Sequence, residues 1–372
     1  MIANRPIRTL LVDDEEPARA RMRDLLEPIE GIQVVGEAGD GEQALDEIRR
    51  LRPDLVFLDI QMPGKSGIEV AASLEPPRPR VIYCTAFDQY AVHAFELNAV
   101  DYLLKPVSKN RLSQAMERVR ARFSDQVAYL EEVDRAEAVQ TSLFPHRKPR
   151  LETLEYLGLC QPAQHVSGDY YDFLPLGSGA MAIAVGDVSG KGISAGLLMA
   201  GLQGRLQSQA AEFGDRLEDL VVRLNSAVCD VTDATRFVTF FYSVYRDDDR
   251  MLRYVNAGHN PPLLLRRKGN GPRVQRLGEG GMVLGVMPEA SYQGGSVRLE
   301  SGDVCVLYTD GLTEITNPAG EEFGEERLIE ALEGAEHLPL NGLAETLLAE
   351  ARAFGAGEEP KDDITLVLAR GR

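Results

Sequence analysis

An aspartate set among glycines, in the stretch "VGDVSGKGIS" (185–194), is one group in this sequence that could act on phosphate. The stretch is close to a nucleotide-binding P-loop, but three residues rather than four separate its first Gly from the Gly-Lys pair. Lys191 is then followed by Gly instead of Ser or Thr. This spacing excludes a backbone phosphate cradle and leaves Asp187, at the end of an apolar run, as the group that could do chemistry.

Further aspartates share this setting. Asp310 ends the run "VCVLYTDG", Asp362 and Asp363 precede "ITLVLA", and Asp169 lies in "SGDYYD". Each has Gly or another acid beside it, and a neighbouring Gly lets the backbone approach a cation and present a carbonyl. Singly, such residues are typical of turns. Together, four converging loops would form an oxygen-rich site for two divalent ions, which clamp a phosphate and activate a water.

A second set of polar residues follows apolar runs near the N-terminus: Asp13, Asp14, Asp59, Thr85 and Lys105. Three carboxylates in one crevice repel one another and require a cation, and oxygen ligands favour Mg2+ or Mn2+. A carboxylate beside that ion could act as a nucleophile toward a phosphoryl group. The Lys could neutralise the resulting charge, and the Thr hydroxyl could accompany it.

The elements that carry this N-terminal set are five short apolar runs separated by helical patterns such as 17–26 and 42–51. This alternation predicts a doubly wound parallel sheet, which binds ligands at the carboxyl ends of its strands. The five runs are "IRTLLV", "IQVVGE", "DLVFLD", "RVIYCTA" and "DYLLK".

After Leu151 the pattern changes to paired strands, with helical stretches at 193–209, 217–231 and 325–354. It predicts a mostly antiparallel α+β domain. The strand patterns are "GAMAIAVGD", "TRFVTFFYSVY", "RMLRYVNAG", "PPLLLRR", "SVRLESGDVCVLYTD" and "DDITLVLAR".

Between the two regions, apolar residues recur at alternating steps of four and three, which favours a short coiled coil ending at Pro145 and Pro149. Polar residues at Gln126, Glu137 and Gln140 interrupt this seam. The alternative is a plain amphipathic helix packed on its own domain. The seam residues are Leu112, Met116, Val119, Phe123, Leu130 and Val133.

Length and charge narrow the class of protein. The chain has 372 residues, which favours two domains, and its formal charge of -18 argues against a nucleic-acid-binding surface. Its four cysteines are far apart, which is typical of a reducing cytoplasm and of neither a zinc site nor a disulfide framework. We expect a cytoplasmic protein without a signal peptide, a membrane span or a nucleic-acid partner.

The first ~120 residues, about one domain, resemble the flavodoxin-like receiver domain of bacterial response regulators, through "VDDEEPAR", "LVFLDIQMPGKSG", "YCTAFDQYAVHAF" and "AVDYLLKP". The resemblance implies that a sensor histidine kinase phosphorylates Asp59. It further implies a set of pocket roles. The acidic pocket would contain Asp13 and Asp14, and Mg2+ would be held by Asp14, Asp59 and the Gln61 carbonyl. The phosphoryl group would be contacted by Thr85 and Lys105, and the rotamer of Tyr102 would change on phosphorylation. The Lys105-Pro106 peptide bond would be cis.

The strings "SGDYYD", "GDVSGKG", "AGHNPP", "LYTDGLTE" and "DDITLV", with "AEAVQTSLFP" before them, resemble the SpoIIE-type branch of the metal-dependent (PPM, type 2C) protein serine/threonine phosphatases. The resemblance implies an antiparallel β-sandwich flanked by helices and two Mn2+ or Mg2+ ions. Ser167 and Lys191 depart from the branch, which often has Gly and His there. The implied ligands are Asp187 (bridging both ions), the Val188 carbonyl, Asp310 and Asp362 (first ion), Asp169 (through water) and Asp363.

We therefore expect a receiver domain at 1–122, a helical linker at 123–146 and a phosphatase domain at 147–372. Phosphorylation at Asp59 would control dephosphorylation of a phosphoprotein, which the resemblance implies to be an anti-sigma-factor antagonist in a partner-switching pathway. The linker would support a homodimer. The alternative is a phosphorylation-gated adaptor with a catalytically silent phosphatase fold that binds a sigma factor or its antagonist. His259 is interpreted as shaping a turn instead of acting as a general acid.

Overall fold

The computed structural model describes residues 5–86, 99–145, 149–177, 179–232, 235–267, 273–358 and 360–372. The chain divides into two units, Met1–Glu131 and Glu132–Arg372. Part of the predicted motif "YCTAFDQYAVHAF" (83–95) falls outside the described residues, as does the side chain of Gln126.

The N-terminal unit is built on a five-stranded parallel sheet of order β2-β1-β3-β4-β5, which confirms the predicted flavodoxin-like class. Because β1 and β3 are neighbours, the residues that follow them lie at the same edge of the sheet. The strands are β1 (Ile7–Val12), β2 (Ile32–Ala38), β3 (Leu55–Asp59), β4 (Arg80–Thr85) and β5 (Asp101–Leu104), and the helices before β5 are α1 (Glu16–Leu26), α2 (Gly41–Leu51) and α3 (Gly67–Ala72).

Side-chain caps fix where two of these helices begin. The carboxylate of Asp40 accepts hydrogen bonds from the backbone of Glu42 and Gln43 at the start of α2. Ser66 and Glu69 form a reciprocal capping box at the start of α3, which satisfies backbone donors that a helix end leaves unpaired. The second cap ends the loop after Asp59 and so fixes the backbone next to the acidic pocket.

One continuous helix, α4 (Lys109–Thr141), follows β5. Leu112, Met116 and Val119 are buried in the core of the N-terminal unit, and Phe123 packs against that core. These four residues therefore do not form a seam between two chains, because their apolar surface is already covered. For them the amphipathic-helix alternative is the correct one, and a coiled coil stays a prediction for the part of the helix after Phe123.

The C-terminal unit contains two sheets that are antiparallel except where β13 pairs with β10. The first has the order β13-β10-β9-β8-β7 with β14 also on β10, and the second β12-β11-β15-β16-β6. The strands are β6 (Leu154–Gln161), β7 (Asp169–Pro175), β8 (Ala180–Val188), β9 (Val238–Arg246), β10 (Met251–Ala257), β11 (Leu263–Leu265), β12 (Val274–Arg276), β13 (Gly280–Gly281), β14 (Gly295–Arg298), β15 (Val304–Tyr308) and β16 (Ile364–Gly371).

Three apolar cores define four layers in this unit. Residues of both sheets, such as Phe241 and Leu307, share the central core. The outer face of the first sheet packs on helices α5 (Ile193–Phe213) and α6 (Leu217–Cys229). The outer face of the second sheet packs on helices α7 (Asp310–Thr313), α8 (Gly324–Ala335) and α9 (Leu340–Phe354). This arrangement confirms the predicted β-sandwich flanked by helices. No helix among the described residues is long and apolar enough to cross a membrane.

Candidate active site

The N-terminal acidic pocket lies at the carboxyl ends of β1, β3 and β5. Carboxylate oxygens of Asp13, Asp14 and Asp59 all lie within 4.8 Å of one another. Lys105 places its Nζ 2.6 Å from both Asp13 Oδ2 and Asp59 Oδ2. Asp13 and Asp59 are buried, whereas Asp14 is exposed. The fold thus brings the three predicted carboxylates and the lysine together.

Burial raises the pKa of Asp59, while the hydrogen bond and charge of Lys105 oppose that effect. The Gln61 backbone N–H donates to Asp59 Oδ1 at 3.2 Å, so Gln61 lies beside Asp59. Thr85 ends β4 fully buried, and its hydroxyl has no hydrogen-bond partner among the described residues. A buried hydroxyl left unpaired fits a pocket that takes a polar group such as a phosphoryl oxygen. Tyr102 is buried in the sheet core, and the Lys105-Pro106 bond is cis.

The second acidic cluster is assembled from four chain segments of the C-terminal unit. Asp169 and Asp187 are direct cross-strand partners in the β7–β8 ladder. Val188 follows as the last residue of β8, Asp310 begins α7 after β15, and Asp362 and Asp363 precede β16.

The electrostatics of this cluster are those of crowded, buried carboxylates. Burial, together with the charges of Asp310 and Asp362, raises the pKa of Asp187 to about 7. Burial, followed by the charge of Asp187, raises the pKa of Asp169 well above its ordinary range. Burial and Asp362 raise the pKa of Asp310. Carboxyl groups held this way are stabilised by a bound cation, so the donor set fits hard divalent metal ions.

These aspartates are less tightly grouped than those of the N-terminal pocket. Among the described residues, no three of them bring their carboxylate oxygens within 4.8 Å of one another. Asp362 instead has its Oδ2 2.8 Å from Lys191 Nζ. Both carboxylate oxygens of Asp363 accept backbone hydrogen bonds, Oδ1 from the Ala163 N–H and Oδ2 from the Gly168 N–H.

A hydrogen-bond network that the sequence did not predict supports the cluster. Ser167 Oγ donates to Asp363 Oδ2 at 2.8 Å and accepts from the Asp169 N–H at 3.0 Å. Thr309 Oγ1 donates to Asp169 Oδ2 at 2.7 Å. Gln140, near the end of α4, bonds the backbone of Ser167. Ser167 appeared in the sequence only as a departure from a motif, and nothing local signalled its partners.

His259 lies in the turn after β10 and not in the acidic cluster. Its side chain is buried, its Nδ1 is 2.8 Å from Thr239 Oγ1, and its N–H donates to Asn256 Oδ1. Burial lowers the pKa of His259 to about 4, so the imidazole is neutral at physiological pH. These contacts are those of a residue that shapes a turn.

Known protein families match the N-terminal and C-terminal parts of the chain separately. A family profile of the response regulator receiver domain matches residues 9–117, and one of Stage II sporulation protein E (SpoIIE) matches 177–372, just over half of the chain. The protein is thus a receiver domain joined to a phosphatase domain of the PP2C type. The chain belongs to the SpoIIE family.

Solved structures resemble the C-terminal unit. The SiaA-PP2C domain of Pseudomonas aeruginosa is 22% identical with a TM-score of 0.59, covering 66% of this chain and 98% of that one. The RsbU and RsbW domains of Rv1364c from Mycobacterium tuberculosis are 25% identical with a TM-score of 0.51, covering 60% of this chain and 61% of that one. These likenesses support the fold.

Curated relatives resemble the N-terminal unit. The transcriptional regulatory protein BtsR of Salmonella typhi is 46% identical over 121 residues, which are 32% of this chain and 51% of that protein. The chain therefore spans about half the length of the curated relatives it matches.

Proposed function

We propose that this protein is a response regulator whose output is a metal-dependent protein serine/threonine phosphatase. The observation that carries the proposal is the convergence of Asp169, Asp187, Asp310 and Asp362 from four separate chain segments, in a cluster where burial and neighbouring charges raise the pKa of Asp187 to about 7. Carboxyl groups with strongly raised pKa values cluster at functional sites, which supports a catalytic or metal-binding role here.

Asp187, Asp310, Asp362 and Asp169 would hold two Mn2+ or Mg2+ ions, together with the Val188 carbonyl and Asp363. When bound, such ions clamp a phosphate and lower the pKa of a water for in-line attack. The chain's own contribution is positional. Ser167 and Thr309 fix Asp363 and Asp169, so the buried carboxylates need little reorganisation when substrate binds.

In the receiver domain, Asp59 would accept a phosphoryl group from a sensor histidine kinase, with Mg2+ held by Asp14, Asp59 and the Gln61 carbonyl. Lys105 already contacts Asp59 and would neutralise the added charge. Thr85, at the end of β4, would contact the phosphoryl group with a buried hydroxyl that has no partner among the described residues. Tyr102 would report the change through its rotamer.

The substrate we propose is a phosphoserine or phosphothreonine on an anti-sigma-factor antagonist, on the strength of the SpoIIE family membership. We further propose that the receiver comprises 1–122, the linker 123–146 and the phosphatase 147–372, and that the linker supports a homodimer. The adaptor alternative is disfavoured, because a silent fold has no need to retain four aspartates at their ligand positions.

The test is hydrolysis of p-nitrophenyl phosphate by the full chain with Mn2+. Asp187→Asn should lower the turnover at least about 100-fold, since a metal site supplies several kcal/mol of transition-state stabilisation. Asp215→Asn, which changes an exposed aspartate paired with Arg246, is the matched control and should keep full activity. Equal activity in the wild type and Asp187→Asn would refute the site, and no activity in any variant would favour the adaptor.

A further inference from the structure

Lys191 occupies a special place beside the C-terminal acidic cluster. It lies between Gly190 (φ 97°) and Gly192 (φ 77°), in the loop that joins β8 to α5. Both glycines adopt backbone conformations that other residues rarely take. The loop is thereby held in the shape that directs Lys191 toward the segment before β16.

The ammonium of Lys191 makes two short contacts there. Its Nζ lies 2.8 Å from Asp362 Oδ2 and donates to the backbone carbonyl of Lys361 at 2.6 Å. Among the described residues, no other ion pair involves any of the five clustered aspartates. The side chains of Lys191 and Asp362 are 44% and 39% exposed, so the contact lies at the open edge of the cluster.

A divalent ion at this edge would need the same carboxylate. Mg2+ and Mn2+ bind carboxylate oxygens directly, and two cations placed on one carboxylate repel each other. Lys191 and a metal ion shared with Asp187 and Asp310 would therefore compete for the carboxylate of Asp362.

We propose that Lys191 is a tethered counter-ion that competes with a divalent cation for Asp362 and so sets the metal affinity of the site. Binding of the metal displaces the ammonium from Asp362. This inference rests on the proposed function, because it takes Asp362 to be a metal ligand. It makes Lys191 a positioning residue, which acts on the metal site through the carboxylate it contacts.

The test is calorimetric titration of the full chain with Mn2+ at constant ionic strength. The Mn2+ binding that remains in Asp187→Asn is assigned to the N-terminal pocket, and it is subtracted from the binding of every other variant. Lys191→Gln should bind Mn2+ about fivefold more tightly than the wild type, the effect expected for removing a half-exposed competing ion pair. Lys191→Arg, which keeps the charge, should stay near the wild-type affinity.

Lys361→Gln is the matched control. It removes the same charge one residue from Asp362, but its side chain contacts Thr316 and no clustered aspartate. We expect its Mn2+ affinity to stay within about twofold of wild type, because the charge of an exposed side chain is largely screened.

Equal affinities for Lys191→Gln and Lys361→Gln, or weaker binding by Lys191→Gln, would overturn the inference while leaving the metal site intact. Mn2+ binding that Asp187→Asn does not reduce, in the wild type and in Lys191→Gln alike, would instead refute the proposed function together with the inference.

Discussion

The side-chain amide of Gln140 pairs with the backbone of Ser167 through two hydrogen bonds. Its Nε2 donates to the Ser167 carbonyl at 2.6 Å, and its Oε1 accepts from the Ser167 N–H at 2.8 Å. Both groups are buried. Since Ser167 in turn bonds Asp363 and Asp169, the end of α4 is joined to the acidic cluster through a single residue.

Replacing Gln140 with Ala should therefore weaken both the fold and the site. Two buried backbone groups would be left unpaired, at a cost of about 1–3 kcal/mol, which lowers the Tm of the C-terminal unit by about 3–8 °C. Turnover with Mn2+ should fall about 10-fold, the range for residues that orient metal ligands. Scanning calorimetry and the p-nitrophenyl phosphate assay measure the two effects. Thr141→Ala, at the exposed neighbouring position, should change neither the Tm nor the turnover. If it lowered both as much as Gln140→Ala does, the proposed role of Gln140 would be contradicted.

Control by the receiver domain should depend on the contact between Lys105 and Asp59. Beryllofluoride, a mimic of the acyl phosphate, should change the Mn2+-dependent turnover of the wild type. It should not change the turnover of Asp59→Asn, which lacks the acceptor carboxylate. Nor should it change the turnover of Lys105→Met, which lacks the cation that contacts this carboxylate. Lys109→Met removes an exposed lysine at the start of α4 and should respond like the wild type. A full response in Lys105→Met would remove that residue from the switch.

The N-terminal unit should lose stability in acid through Asp101. The carboxylate is buried and accepts from Arg111 Nη1 at 2.8 Å and from Arg118 at 3.1 Å. Burial acts to raise the pKa of Asp101, but the hydrogen bonds and charges of the two arginines outweigh it and the pKa is lowered. A carboxyl with a lower pKa in the folded chain stabilises the fold above its unfolded pKa, and that stabilisation is lost as the pH falls through the folded pKa.

Asp101→Asn should accordingly cost about 2 kcal/mol at pH 7, the range for a hydrogen bond to a charged group. The difference from the wild type should shrink below pH ~4, where the carboxyl of the unfolded wild-type chain begins to take up a proton while that of the folded chain is still ionised. Thermal unfolding followed at several pH values measures this. Asp46→Asn, in an exposed pair with Arg49, is the control and should show no such dependence. A constant difference from pH 7 to pH 3 would contradict the assignment.

Gly311 should tolerate no side chain. A Cβ there would lie 2.0 Å from the Asp363 carbonyl oxygen, so the backbone after Asp310 would have to move away from the segment before β16. Gly311→Ala should lose the Mn2+ binding of the C-terminal cluster and keep, in calorimetry, only the binding that remains in Asp187→Asn. Gly204→Ala, in α5 where a Cβ meets nothing within 4 Å, should bind normally and gain about 0.5–1 kcal/mol of stability. Normal Mn2+ binding by Gly311→Ala would show that this close approach is not needed.

The parallel sheet was predictable because each strand is an apolar run with a polar residue at its end, and that pattern is local. β6 (Leu154–Gln161) was missed. It is an edge strand beside β16, most of its residues are only half-buried, and its sequence "LEYLGLCQ" includes a glycine and a glutamate. Such a strand forms through pairing with a partner about 200 residues away along the chain, which no local pattern shows.

The aspartates of the C-terminal cluster could be named from the sequence, but their supporting contacts could not. Gln140 was interpreted as an interruption in a coiled-coil seam, whereas it is a buried hydrogen-bonding residue. Lys191 was noted only as a departure from a motif, whereas it contacts Asp362. Both contacts join residues far apart in the chain, so they follow from the tertiary fold and from nothing in the neighbouring sequence.

The position of β16 within the second sheet has a consequence for protein synthesis. This strand lies between β15 and β6, and Asp362 and Asp363 immediately precede it. A nascent chain that has not yet emerged from the ribosome as far as residue 371 lacks both this strand and two of the clustered carboxylates. The strands of the receiver all precede residue 105, so that domain can fold much earlier in translation. A chain terminated before β16 would retain the receiver but lack two carboxylates of the second cluster, so the proposed phosphatase activity would be lost.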